Sequence, residues 1–350
     1  MQVIGTRAEP AHTHGPSASP AVSTRWVELP GRGVTRVWEC GGPPGAETIV
    51  LIHGVTFTAE LNWGSVLEPL GRHFRVVTLD QRGHGYGISP GSRFRLEDCA
   101  DDVAALAGVL GIQRFVAVGY SMGGIVAQLL YRRHPWLLSG LVLCSTAGNL
   151  RESAVEHLAA LTLPMVVAAL AWNPAMWLLG AGAVGTVLLG NIEDPTTREW
   201  AHGQLRRTSL STAVSAIHAV CEFASTEWIG QVEIPTAVIV TTRDLIVPAS
   251  RQRRLASAVP GATSFDVEGG HGVCVNAPEL FTPTLLQACR SVAARSGPVI
   301  PSAEDRHNGS RAVRPAATYP VPNANSRTWR SWIRRSRWRH GRSNPSKSAT

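Results

Sequence analysis

Short apolar runs rich in Val, Ile and Leu alternate along this chain with segments of helical pattern, and that alternation limits what it can fold into. The runs are Thr48–Ile52, Phe74–Leu79, Phe115–Val118, Leu141–Cys144, Thr236–Val240 and Thr263–Val267. Helical patterns lie between them, at about 59–72, 95–110, 122–133, 250–259 and 278–294. Runs that stay apolar at consecutive positions suit strands buried on both faces, and parallel strands need long crossovers, usually helices. The pattern therefore predicts an α/β fold with a parallel sheet covered on both sides. Functional groups in such sheets gather beyond the carboxyl ends of the strands.

One junction is chemically specific. Gly119-Tyr120-Ser121-Met122-Gly123 follows the run Phe115–Val118 and precedes the helical pattern that starts near residue 122. A serine between glycines at a strand-to-helix turn is the arrangement of a nucleophile elbow. Such a turn strains the serine backbone and leaves no room for side chains two residues to either side. Gly124 allows the following helix to lie close to the strand. Asp244 and Gly270-His271 also fall just after expected strand ends. A serine hydroxyl is a weak nucleophile until a base takes its proton, and an imidazole held by a carboxylate is such a base. Each residue has a plainer reading: a serine in a Gly-rich turn, a loop histidine, a helix-capping aspartate.

In chain order, His53-Gly54, Asp80-x-Arg82-Gly83-x-Gly85, the serine elbow, Asp244 and Gly270-His271 make the chain resemble the α/β-hydrolase family from about Val22 to Ala294. The resemblance implies a mostly parallel eight-stranded sheet with helices on both faces and an inserted helical cap. It implies Ser121 as nucleophile, His271 as base and Asp244 as acid, with the backbone N–H groups of Val55 and Met122 as the oxyanion hole. His53 and His84 are expected to shape loops, and Asp80 to tie its loop down through Arg82. The segment Ser145-Thr146-Ala147-Gly148-Asn149, where some relatives carry the acid, has no carboxylate. Glu268 stands too close to His271 along the chain to approach the ring from behind. Serine rather than aspartate at 121 argues against epoxide opening and dehalogenation. The implied activity is a serine hydrolase cleaving a small-molecule carboxylic ester or related acyl compound through an acyl-enzyme, with no cofactor or metal. A lactonase or carbon–carbon bond hydrolase would use the same residues. A non-catalytic ligand-binding protein on this scaffold is the reading from another class.

Domain organisation follows from composition. Residues 1–23 form a polar N-terminal segment without the apolar stretch of a signal peptide. The hydrolase core is expected at 24–148 and 231–296, the cap at 149–230, and a basic disordered tail at 297–350. From Leu158 to Asn191 the cap has no charged residue. A membrane crossing there would separate Ser121 from His271, so the run reads either as a buried helical cap or as an apolar lid that takes an acyl chain or touches a lipid surface. The net charge of +8 belongs to the tail, whose eleven Lys and Arg against two acids leave the rest of the chain close to neutral. Nucleic-acid binding is not expected of the core; the tail's Arg and Trp admit it only as a separate role, beside an anionic membrane surface. Six scattered cysteines without metal spacing suit reduced thiols in a cytoplasmic protein.

Overall fold

The computed structural model describes residues 21–91, 93–150, 189, 192 and 194–296. Eight strands form one sheet: β1 (Val22–Leu29), β2 (Gly33–Cys40), β3 (Thr48–Ile52), β4 (Arg75–Leu79), β5 (Phe115–Tyr120), β6 (Leu138–Cys144), β7 (Thr236–Thr241) and β8 (Thr263–Val267). Their order is β1-β2-β4-β3-β5-β6-β7-β8. The pairs β1–β2 and β2–β4 are antiparallel and all the others parallel. The helices of the core are α1 (Ala59–Gly71), α2 (Leu96–Val109), α3 (Met122–Arg133), α6 (Ala249–Ala258), the short α7 (Val273–Asn276) and α8 (Pro278–Arg295). Two more, α4 (Pro195–Leu205) and α5 (Leu210–Glu222), lie between β6 and β7.

Side chains alternate across a strand, so each apolar run feeds two cores. From β3 and β5, Ile49, Leu51, Val116, Val118 and Tyr120 pack with Trp63 and Leu70 of α1 and Phe281 and Leu285 of α8. Val50, Ile52, Phe115 and Ala117 face the other way, toward Val103 and Leu106 of α2 and Ile125 and Val126 of α3. Burying one such side chain contributes about 1.5–3 kcal/mol.

The strand order creates the site's location. From β3 the chain passes through α1 to β4 on one side, then returns through α2 to β5 on the other side of β3. Because α1 and α2 cover opposite faces, a crevice opens between β3 and β5 beyond their carboxyl ends. The loop after β3 begins at His53, and the loop after β5 is Ser121.

The β1–β2 hairpin takes in Val22 and Ser23, two residues of the segment expected to precede the fold, through pairing of Val22 with Cys40 and Ser23 with Glu39. Of the expected cap, α4 and α5 are described. Asp194 caps α4 by accepting the Thr197 N–H at 2.7 Å, and Ser209 caps α5 by accepting the Thr212 N–H at 3.2 Å. The apolar run Leu158–Asn191, apart from Leu189, lies outside the described residues, as do 1–20 and the basic tail. Among the described residues no helix is long and apolar enough to cross a membrane. All six cysteines lie among the described residues, none of them is in a disulfide, and five are buried.

Candidate active site

β5 ends at Tyr120 and α3 begins at Met122, so Ser121 alone makes the turn, with φ 53° and ψ −117°. A side chain at positive φ is strained and persists only where the surroundings over-determine it. Here the Ser121 N–H donates to Cys144 O at 2.8 Å, and the Gly124 N–H donates to Ser121 O at 2.9 Å. A Cβ at Gly119 would lie 2.2 Å from Gly123 O, and one at Gly123 would lie 1.9 Å from Ile52 O. Those neighbours are backbone atoms that no rotamer change can move, so both positions require glycine.

The elbow meets residues from two distant loops. Ser121 Oγ is 2.9 Å from His271 Nε2, and His271 Nδ1 is 2.8 Å from Asp244 Oδ2. A carboxylate only accepts, so Nδ1–H donates to Asp244 and Nε2 is left to accept the Ser121 hydroxyl proton. His271 and Asp244 are 5% exposed, whereas Ser121 is half-buried, so the hydroxyl is the group that solvent or substrate reaches. Tyr120 donates its hydroxyl proton to the His271 carbonyl at 2.7 Å, which ties the histidine loop to β5.

Asp244 sits in a nest of donors. Its Oδ1 accepts the N–H groups of Ile246 and Val247, both at 2.9 Å. Its Oδ2 accepts the Thr241 hydroxyl at 2.8 Å beside the imidazole. Burial pushes the carboxyl up, but His271, the Val247 N–H and the Thr241 hydroxyl outweigh it and hold the group below its ordinary value. The acid is therefore ionised at neutral pH. Sequence reading did not find Thr241 or Tyr120, because a hydroxyl near a strand end carries no periodic signal.

The loop after β3 presses against the elbow: a Cβ at Gly54 would be 3.4 Å from Ser121 Cβ. Asn62 of α1 holds it by accepting the Gly54 N–H at 2.9 Å. Among the described residues, no hydrogen bond engages the N–H of Val55 or of Met122. Both were expected as oxyanion donors, and both stand next to residues in this contact.

His53 shapes this loop from within. Its Nδ1–H donates to Gly54 O at 2.8 Å, and its Nε2 accepts the Gln81 N–H at 2.8 Å. Burial, aided by the nearby His84, pushes His53 down to about 3, and burial pushes His84 down to about 4, so both rings are neutral. Asp80 departs from expectation. It does not pair with Arg82; its Oδ1 accepts the Ala59 N–H at the start of α1 and its Oδ2 accepts the Tyr86 N–H, each at 2.8 Å. Arg82 instead makes a two-pronged bond with buried Asp102, at 2.9 and 2.8 Å. The fork of a guanidinium matches a carboxylate on the neighbouring helix better than one already occupied by two backbone N–H groups. Glu268, as expected, stays off the imidazole and pairs with Arg243 at the surface.

Among the described residues, no group of three His, Cys, Asp or Glu side chains is arranged to hold a metal ion. A surface groove of about 640 Å³ between the start of α2 and α5, lined by Phe94, Arg95, Leu129 and His218 among others, includes none of the residues above.

The sequence profile described as alpha/beta hydrolase fold matches residues 47–278. A protein of Yersinia enterocolitica named carbamate hydrolase RutD is 31% identical over 255 residues, spanning 69% of this chain and 87% of its own. Its namesake from Agrobacterium fabrum is 28% identical over 253 residues, spanning 69% of this chain and 92% of its own. The crystal structure of a hydrolase from Pseudomonas aeruginosa matches with a TM-score of 0.64 at 26% identity, covering 75% of this chain and 97% of that one. An enol-lactonase from Burkholderia xenovorans shares the fold, with a TM-score of 0.64 at 24% identity over 76% of this chain and 100% of that one. The matched region runs from β3 through Ser121 and Asp244 to His271, and on these grounds the chain belongs to the α/β-hydrolase family of enzymes.

Proposed function

We propose that the chain is a serine hydrolase of small carboxylic esters or related acyl compounds, working through an acyl-enzyme on Ser121. The observation that carries this reading is the unbroken line Ser121 Oγ, His271 Nε2, His271 Nδ1, Asp244 Oδ2, with spacings of 2.9 and 2.8 Å at its two hydrogen bonds. In the first half-reaction His271 takes the hydroxyl proton as Oγ attacks the carbonyl carbon. The carbonyl oxygen gains negative charge, which the N–H groups of Met122 and Val55 stabilise; losing one such donor typically costs about a hundredfold or more in rate. The imidazolium, held by ionised Asp244, then protonates the leaving alcohol. Water repeats the sequence and frees the acid and Ser121.

The same machinery attacks any activated carbonyl. Lactones, thioesters and the carbon–carbon bonds of activated ketones remain within its reach, and relatives about 30% identical that are named for carbamate hydrolysis add carbamates to the set. The contact between Thr208 Oγ1 and Thr56 O, at 3.4 Å, brings the turn between α4 and α5 over the loop after β3, so substrate choice is assigned to that side.

A fluorophosphonate probe tests the reading. Wild type is expected to label at one residue, and Ser121→Ala to label at none. Unlabelled wild type would leave a ligand-binding protein on this scaffold as the better account. A panel of p-nitrophenyl esters of increasing chain length, lactones, acyl thioesters and aryl carbamates then identifies the acyl class.

A further inference from the structure

We infer that Gln252 is a positioning residue for the acid of this site, acting on Asp244 through Thr241. The inference rests on the serine-hydrolase reading above. Gln252 belongs to α6, a helix rich in arginine whose only buried side chains are Gln252 and Leu255. An amide in the interior is costly unless its groups are used, and here they all are. Oε1 accepts the Thr241 N–H at 3.0 Å. Nε2 donates to Val247 O at 2.7 Å and to Thr241 Oγ1 at 2.8 Å, and stands 3.3 Å from Asp244 Oδ2. One side chain thus grips the backbone three residues before the acid and three residues after it.

The hydroxyl of Thr241 turns that grip into orientation. It has one proton and lies within reach of three groups: Gln252 Nε2, Ser145 Oγ at 3.2 Å and Asp244 Oδ2 at 2.8 Å. The amide nitrogen can only donate, so it occupies a lone pair of Thr241 Oγ1 and turns the proton away from itself. Asp244 Oδ2 is the nearer and charged acceptor, so the proton goes there. Oδ2 is also the oxygen that accepts His271 Nδ1–H, while Oδ1 is held by two backbone N–H groups. The carboxylate is fixed in rotation by donors on both oxygens, and Gln252 holds two of the segments that supply them, Thr241 and Val247.

The test compares kcat, KM, the rate of fluorophosphonate labelling and the low-field proton resonance of His271 Nδ1–H. The variants are Gln252→Met, which keeps the length without donors, Thr241→Val, which keeps the shape without the hydroxyl, and Thr241→Ser, which returns it. Loosened orientation predicts that Gln252→Met and Thr241→Val each lower kcat by about tenfold or more with KM nearly unchanged. The labelling rate should fall in step, and the low-field resonance should shift or broaden. Thr241→Ser should rescue most of what Thr241→Val loses. A folded Gln252→Met with wild-type kcat and an unmoved resonance overturns the inference. So does a Thr241→Ser as impaired as Thr241→Val, which decides the matter if Gln252→Met does not fold. Wild type that neither labels nor turns over any acyl substrate overturns the underlying reading together with this one. Active wild type with indifferent variants overturns this one alone.

Discussion

Lowering the pH from 7.5 to 5.0 should destabilise the fold by about 2.5–3 kcal/mol, and the two histidines of the β3 and β4 loops are the cause. His53 and His84 are fully buried and neutral, with values pushed down from 6.5 to about 3 and about 4. In the unfolded chain each takes up a proton near 6.5; in the folded chain neither does until the pH is far lower. Between those limits the unfolded state holds more protons, so falling pH favours it. The stability conferred by neutral rings is complete above 6.5 and is lost as pH falls toward the folded values. At pH 5.0 each histidine has crossed about 1.5 units of that window, a loss of about 2 kcal/mol apiece at 1.36 kcal/mol per unit. Asp80 acts oppositely, because burial raises its carboxyl to about 6 against two backbone N–H bonds and nearby arginines. It takes up a proton in the folded state first and returns about 1.4 kcal/mol by pH 5.0. Asp101, down to about 2, and Asp244, held low, titrate below this range. Urea unfolding at the two pH values measures the difference. In His84→Asn the side-chain amide can still donate to Arg82 O, now 3.0 Å from Nδ1, but cannot titrate. That variant should recover about 2 kcal/mol of the acid loss. Stability that is flat or rising toward pH 5.0, or a His84→Asn as acid-sensitive as wild type, refutes the reasoning.

Gly123→Ala should cost about 1–3 kcal/mol or more through a Cβ placed 1.9 Å from Ile52 O. Because β3 and α3 must part to admit it, fluorophosphonate labelling of Ser121 should collapse along with the melting temperature; a variant that labels like wild type shows that the elbow tolerates the methyl. Asp244→Asn should leave the fold nearly intact yet lower kcat by about ten-thousandfold. An amide nitrogen only donates, so it must face either the N–H groups of Ile246 and Val247 now on Oδ1 or the His271 Nδ1–H and Thr241 hydroxyl now on Oδ2, and single-turnover measurements that find less than a tenfold loss would remove Asp244 from the role of acid.

The parts legible in the sequence share a physical trait: their causes are local. A run such as Thr236–Val240 is buried on both faces, so the four residues after Thr236 are all apolar, and β7 appears where the run does. The elbow was legible because sterics at Gly119 and Gly123 act within one turn of chain. β1 and β2 were not, because that hairpin turns much of its surface to water. Arg25 is exposed and pairs with Glu39 across the hairpin, and Arg36, on the opposite face, is half-buried over Trp38, so charged residues interrupt both faces and erase the apolar run that marks a buried strand. The apolar run Leu158–Asn191, expected in a cap, has a composition but no periodic feature that assigns its contacts.

Polar partners follow a different logic, and Asp80 shows why. Arg82 is two residues away and of opposite charge, yet the pairing that forms is with Asp102, which also receives Arg32 from the far end of the β1–β2 hairpin at 2.5 Å. A buried carboxylate is satisfied by whichever donors the fold brings to it with good geometry, and backbone N–H groups at a helix start are already in place when α1 packs. Sequence distance has little weight in that competition. The same holds at the candidate site: Ser121 and His271 lie 150 residues apart, and His271 and Asp244 27. Each was nonetheless readable, because the chemistry demands a particular residue type after a particular strand. Gln252 had no such label. Its place is decided by the unsatisfied groups of Thr241 and Val247 that only the closed fold presents, and any side chain able to meet both ends of the acid turn would have been retained there for stability alone. That is why kcat and the His271 proton resonance, rather than the melting temperature, are the measurements that separate a residue that merely satisfies buried groups from one that aims the carboxylate.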